Sequence, residues 1–141
     1  MQGLSANTLK MLRNILSIIV GVITASCAIM LVEWLGLKVY PIPEGLDLTN
    51  VALLKILMPF IPVGVYLFIA LSWLIGSFVG SLVACKIAIS RQARHGYVTG
   101  ILIFGVALTT FFVFPYPFWF WALGIFVFIP AVWLGVKIGV R

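Results

Sequence analysis

The chain has 141 residues, of which 64% are hydrophobic and only 9% are charged. A soluble domain carries roughly 25% charged residues, and a chain this short cannot hide so much apolar surface within itself. The composition therefore excludes an ordinary soluble domain. It also turns the net charge of +6 away from nucleic acid and toward lipid headgroups, because the nine Lys and Arg residues are scattered between long apolar runs.

Four runs are long enough to cross a bilayer as helix, which takes roughly 20 residues. They cover about 15–37, 60–84, 97–114 and 119–136. The expected fold is an all-α integral membrane protein of four transmembrane helices in two hairpins, forming one domain over 1–141. The first run shows no signal-cleavage pattern, and its apolar core exceeds the 7 to 15 residues of a signal sequence. It is read as a retained helix. It holds Ser17, Gly21 and Ala25 at four-residue spacing, and near its far end Glu33, the only acid inside an apparent span. Intramembrane carboxylates are functional candidates by default. Glu33 is accordingly the candidate ion or proton site. The competing reading is an interfacial carboxylate beside Trp34, able to pair with Lys38 or Lys55.

The following segment, KVYPIPEGLDLTNVALLKILMPFIP, opens with Pro41, Pro43 and Gly45, which favour an extended, turned chain. TNVALLKILM then predicts a short interfacial helix capped by Thr49 or Asn50. The second span contains SWLIGSFVGSLVACK, with two rows of small residues. Ser72, Gly76, Gly80 and Ala84 form one row, a GxxxG stripe. Ser77, Ser81 and Cys85 form the other. Lipid gives helices no hydrophobic reason to associate, so small residues that admit close backbone approach mark packing seams. The rows are read as seams rather than as the wall of a solute path. Gly135, with Ala131 and Gly139, extends the pattern to the fourth span, and Gly96 and Gly100 to the third. Pro130 is expected to bend the fourth span and leave a lipid-filled cleft.

Seven basic residues, Lys10, Arg13, Lys86, Arg91, Arg94, Lys137 and Arg141, fall on one side of this topology, against Lys38 and Lys55 on the other. The positive-inside rule then predicts that both termini are cytoplasmic. Trp34, Tyr40, Tyr116, Trp119 and Trp121 fall at the opposite ends of the spans, where amphipathic rings favour the interface. WLIGSFV at Trp73 and WALGIFV at Trp121 share Trp, Gly, Phe and Val. That match fits either a parallel internal repeat of two hairpins or coincidence in a low-diversity apolar sequence.

The segments VEWLG…YPIPEGLD, ALSWLIGSFVGSLVACKIA and FPYPFWFWALGIFVFIPAVWLG together resemble a group of small four-span bacterial membrane proteins without an assigned function. The resemblance implies a multi-pass protein of the bacterial inner membrane, and it supplies no catalytic residues.

Chemistry-bearing motifs are sparse. Cys27 and Cys85 form no CxxC pair, their depths differ by roughly 20 Å of helix, and both are expected to be free thiols packed as small apolar groups. His95 is expected in a loop without co-ligands. No phosphate loop, HExxH or nucleophile elbow is present. No enzymatic activity, cofactor or metal is therefore expected. Partners are expected to be the bilayer and either a second copy or a larger membrane protein, not nucleic acid. Two functions follow: a packing or accessory component of a membrane assembly, or a small transporter or channel for a cation, lipid or hydrophobic compound.

Overall fold

The computed structural model describes the backbone of residues 2–141 and side chains from Ser5 onward. Five α-helices follow in chain order: α1 (Gln2–Val39), α2 (Val51–Leu57), α3 (Val63–Ile87), α4 (Gln92–Val113) and α5 (Phe118–Gly139). All but α2 are long and apolar enough to cross a membrane. Each apolar run becomes a helix for the same reason: with no water to serve them, backbone N–H and C=O groups must pair within the segment.

Two boundaries differ most from expectation. At 38 residues α1 is about 57 Å long, well beyond the roughly 30 Å of hydrocarbon. No helix breaker precedes Ile15, so the helix continues through Lys10, Arg13 and Asn14. Likewise α4 begins at Gln92, which places His95 in its first turn, with ring Nδ1 3.1 Å from the Arg91 carbonyl oxygen, rather than in a loop. The α3–α4 connection is correspondingly short, and Arg91 turns it in the left-handed region at φ 46°. Asn14 holds this connection to α1: its amide donates to Ser90 Oγ at 2.8 Å, and its Oδ1 accepts from Ile89 N at 3.1 Å. Arg13 Nε donates to the Ile87 carbonyl at 3.2 Å.

At the other end, the segment after α1 turns at Gly45 with φ 82°. Asp47 Oδ1 accepts from the Thr49 hydroxyl at 2.6 Å and from its N–H at 2.9 Å, bonds that hold its carboxyl below the usual carboxylate range. Asn50 caps α2 by accepting from Leu53 N at 3.1 Å. A single 3₁₀ turn over Met58–Phe60 then leads to α3. Tyr66 ties that turn to α3 by donating to the Met58 carbonyl at 2.9 Å.

Among these helices α3 is central, packing on α1, α4 and α5. Its small-residue rows face different neighbours. In the first row, a Cβ added to Gly80 would lie 2.7 Å from Ala25 Cβ and 2.8 Å from the Gly21 carbonyl oxygen of α1. One added to Gly21 would meet Gly80 O at 2.8 Å and Ala84 Cβ at 2.9 Å. Gly76 lies against Ile29 and Ala25. In the second row, Ser81 and Cys85 meet Gly135 and Gly139 of α5 and Gly96 of α4. Gly135 rests against the backbone at Phe78 and Leu82.

Most hydroxyls in the spans bond their own helix, as Ser and Thr do in apolar surroundings: Thr24 to Val20 O at 2.7 Å, Ser77 to Trp73 O at 2.6 Å, Thr99 to His95 O at 2.9 Å. Ser81 differs. Its side chain is fully buried and its Oγ has no hydrogen-bond partner. Both cysteines are free, but only Cys85 is packed; Cys27 is exposed on α1, because its face of that helix meets no neighbour.

Gly80→Ala is expected to lower thermal stability in mild detergent by about 1–3 kcal/mol, the usual range for overpacking. Gly105→Ala, where an added Cβ meets nothing within 4 Å, should be neutral or stabilising. Equal losses from the two would contradict close packing at Gly80. Ser81→Ala should raise stability by about 1 kcal/mol by removing an unpaired buried hydroxyl, whereas Ser77→Ala, which breaks an intrahelical bond, should not.

Candidate functional site

The seam between α1 and α3 opens toward the end remote from Asn14. There it becomes a cleft of about 310 Å³, at the lower end of the roughly 300–1,000 Å³ usual for ligand pockets. Glu33, Gly36 and Tyr40 line it from the α1 side, Val65, Phe68, Ile69 and Trp73 from α3, and Thr110, Phe114 and Tyr116 from the end of α4 and the turn after it. Helical spacing explains the lining. Ile29, Glu33 and Leu37 follow each other at four-residue steps, continuing the face that meets Gly76. On α3, Val65, Ile69 and Trp73 do the same.

Glu33 is half-buried, and its Oε1 accepts from Ser72 Oγ at 3.3 Å. Ser72 is fully buried, and its hydroxyl lies closer, at 2.7 Å, to the Ile69 carbonyl oxygen. One hydroxyl carries one proton. The nearer carbonyl therefore holds most of it, and the carboxylate keeps nearly all of its accepting capacity for the cleft. Lys38, weighed from sequence as a partner, has its Nζ over the Trp34 ring, 5.2 Å from the centroid.

The remaining walls are aromatic. Tyr40 closes over Gly64, where an added Cβ would collide with the phenol, and meets Phe68 edge-on with centroids 6.1 Å apart. Trp73 forms the floor. It contacts Phe111 at 5.3 Å, Phe120 at 5.6 Å and Phe128 at 5.9 Å between centroids, and these rings fill the bundle below the cleft. Tyr116, in the turn between α4 and α5, meets Phe120 at a tilt, with centroids 4.9 Å apart, and Phe111 edge-on at 5.7 Å. Burial first, then the negative charge of Glu33 and the neighbouring Tyr66, push its phenol up to about 12. Among the described residues no group of three His, Cys, Asp or Glu side chains gathers at metal-binding range.

Of the residues singled out from sequence, Ser72 and Glu33 come together here, while Gly76, Gly80, Ala84 and Gly21 lie along the seam and Gly135 of α5 packs on a different face of α3. Sequence reasoning missed Trp73, Thr110 and Tyr116 as cleft residues. The available signal was that Trp73 lies one step from Ser72 in a helix whose other face is small. Compared with protein-family models, curated proteins and solved structures, the chain finds no match in any of the three.

A phenolate absorbance titration tests the surroundings of Tyr116. The chain has four tyrosines. One is expected to ionise near pH 12 rather than at the ordinary 10.0. The raised value means that the native fold favours the protonated phenol, so stability from this residue is complete below about pH 10 and falls as pH rises toward 12. Tyr116→Phe should remove the highest step. Its survival would place the tyrosine outside this environment.

Proposed function

We propose that the protein is a non-enzymatic, multi-pass membrane component whose cleft binds a lipophilic cation. The observation that carries this reading is the Glu33 carboxylate, weakly held by Ser72 and half-buried among aromatic rings. A carboxylate beside ring faces suits an organic cation, because cation–π attraction adds to charge pairing and both strengthen away from water. This favours the transport-related of the two classes weighed from sequence. The aromatic floor at Trp73 argues for a bound-ligand or carrier role rather than an open channel. The seven-to-two basic asymmetry supports a cytoplasmic Asn14 end and, with it, a cleft in the outer leaflet; the resemblance to small four-span bacterial proteins supports the inner membrane as its location. The pairing of Gly76 with α1 and of Gly124 with Phe111 of α4 is compatible with two repeated hairpins.

A second reading, an accessory component of a larger assembly or homo-oligomer, is favoured by α1. This helix is packed on one side only, leaving Leu12, Ile19, Ile23 and Met30 exposed. The rows on α3 no longer argue for it, since they are occupied within the chain.

Binding of tetraphenylphosphonium to the protein in nanodiscs, read by quenching of tryptophan fluorescence, separates the two. Glu33→Gln is expected to weaken binding by about tenfold, consistent with the loss of a charged partner, with helicity and thermal stability unchanged. Binding of equal strength in wild type and Glu33→Gln would remove the cation reading and leave the accessory one.

A further inference from the structure

A second concavity lies on the lipid-facing side of the bundle, between α4 and α5, near the basic end. It has a volume of about 440 Å³ and is almost wholly apolar. Gly100 and Val132 form its floor, where a Cβ on Gly100 would lie 2.6 Å from either Val132 methyl. Phe104 and Phe128 meet edge-on, centroids 5.0 Å apart, toward its far end, with Ile125 beyond them. Tyr97 and Ile101 wall it from α4, Ile129 and Trp133 from α5.

The two helix faces that line this groove become basic where it reaches the membrane surface. On α4, Arg94, Tyr97, Ile101 and Phe104 succeed one another at three- and four-residue steps. On α5, Ile129, Trp133 and Lys137 do so at steps of four, and Arg141 follows just beyond the end of the helix at Gly139. Arg94, Lys137 and Arg141 are all exposed, and Lys137 Nζ sits 4.7 Å from the Trp133 ring centroid. Arg91, Arg94 and Arg141 border a shallow hollow at the same end. From Arg94 to Phe104 is ten residues, about 15 Å of helix, which is half of the roughly 30 Å hydrocarbon thickness. The groove is one leaflet deep.

We propose that this groove holds an anionic phospholipid of the leaflet at the basic end. One acyl chain lies along Gly100 and Val132 as far as the Phe104–Phe128 pair, and the phosphate meets Arg94, Lys137 and Arg141. Charge complementarity selects the occupant: three cations stand at the open end of an apolar trough, with no acid on these two helices. Pro130 contributes from the adjoining face. It cannot donate an N–H to the carbonyl four residues earlier, so the local α5 backbone is less tightly held beside the groove. The site is separate from the Glu33 cleft and does not depend on the reading given to it.

Native mass spectrometry of the protein, released from micelles loaded with equal amounts of phosphatidylglycerol and phosphatidylcholine of identical chains, tests the assignment. Wild type is expected to retain phosphatidylglycerol in preference. The triple variant Arg94→Gln, Lys137→Gln, Arg141→Gln should lose that preference by on the order of tenfold, since basic groups near anionic lipid each contribute appreciably. Lys10→Gln with Lys86→Gln, equal in kind and at the same end but off the groove, should leave it nearly unchanged. Ile129→Trp, at an exposed position on the wall, fills the trough without touching the bundle interior and should release the lipid with the basic residues intact. Glycerol 3-phosphate, which has the phosphate but no chain, should not compete. Equal losses in the triple and the control pair, unchanged retention in Ile129→Trp, or competition by glycerol 3-phosphate would each overturn the proposal.

Discussion

The bundle depends on how closely α3 can approach its neighbours. In lipid, exchanging a helix–lipid contact for a helix–helix contact gains no hydrophobic free energy, and what remains is dispersion and close backbone contact. Gly80 against Gly21, and Gly135 against the backbone at Phe78, supply that contact on two faces of one helix. A helix meeting one partner needs one small row. Two rows, offset by one residue, make α3 the element around which α1, α4 and α5 are arranged.

The same constraint sorts side chains by size along the bundle. Small residues concentrate toward the basic end: Gly21, Gly80, Ala84 and Cys85 with Gly96 and Gly139. Rings concentrate toward the other: Tyr66, Trp73, Phe111, Tyr116 and Phe120. Helices that nearly touch at one end are spaced by side-chain thickness at the other. The cleft is the geometric result, a seam continued past the point where its residues are small. The groove between α4 and α5 has a related origin, since Gly100 gives Val132 room to sink and lowers the floor between flanking aromatic walls.

Much of this was legible in the sequence because membrane segments obey few rules. The four spans, a cap at Thr49 or Asn50 and the two small rows follow from hydropathy, capping chemistry and four-residue spacing. The helix ends were less legible. Hydropathy marks where lipid stops, whereas helix stops where backbone pairing fails, so α1 runs back to Gln2 and α4 begins at Gln92, before His95. Which neighbour each row meets is a matter of relative rotation, and no single helix records it. In the sequence Trp73 stands out only as the first residue of the possible repeat WLIGSFV. Only the register of α3 against α1 turns it into the floor beneath Glu33.

Ser72 joins the two readings of the small-residue row. It stands four residues from Gly76, at the place a seam would put another Gly or Ala. Its size satisfies the seam, and full burial shows that it is used that way. Its hydroxyl nevertheless points toward Glu33 while being held mainly by Ile69 O. A Gly or Ala there would pack equally well and leave the carboxylate without a donor. A larger polar residue would satisfy the carboxylate fully and close the gap. Serine alone among the small side chains on this row both permits close approach and offers a weak, shareable proton. Glu33 is thereby steered toward the cleft without being neutralised by a strong partner. Close packing and the hydrogen bond to Glu33 therefore meet at one residue, the last of the seam.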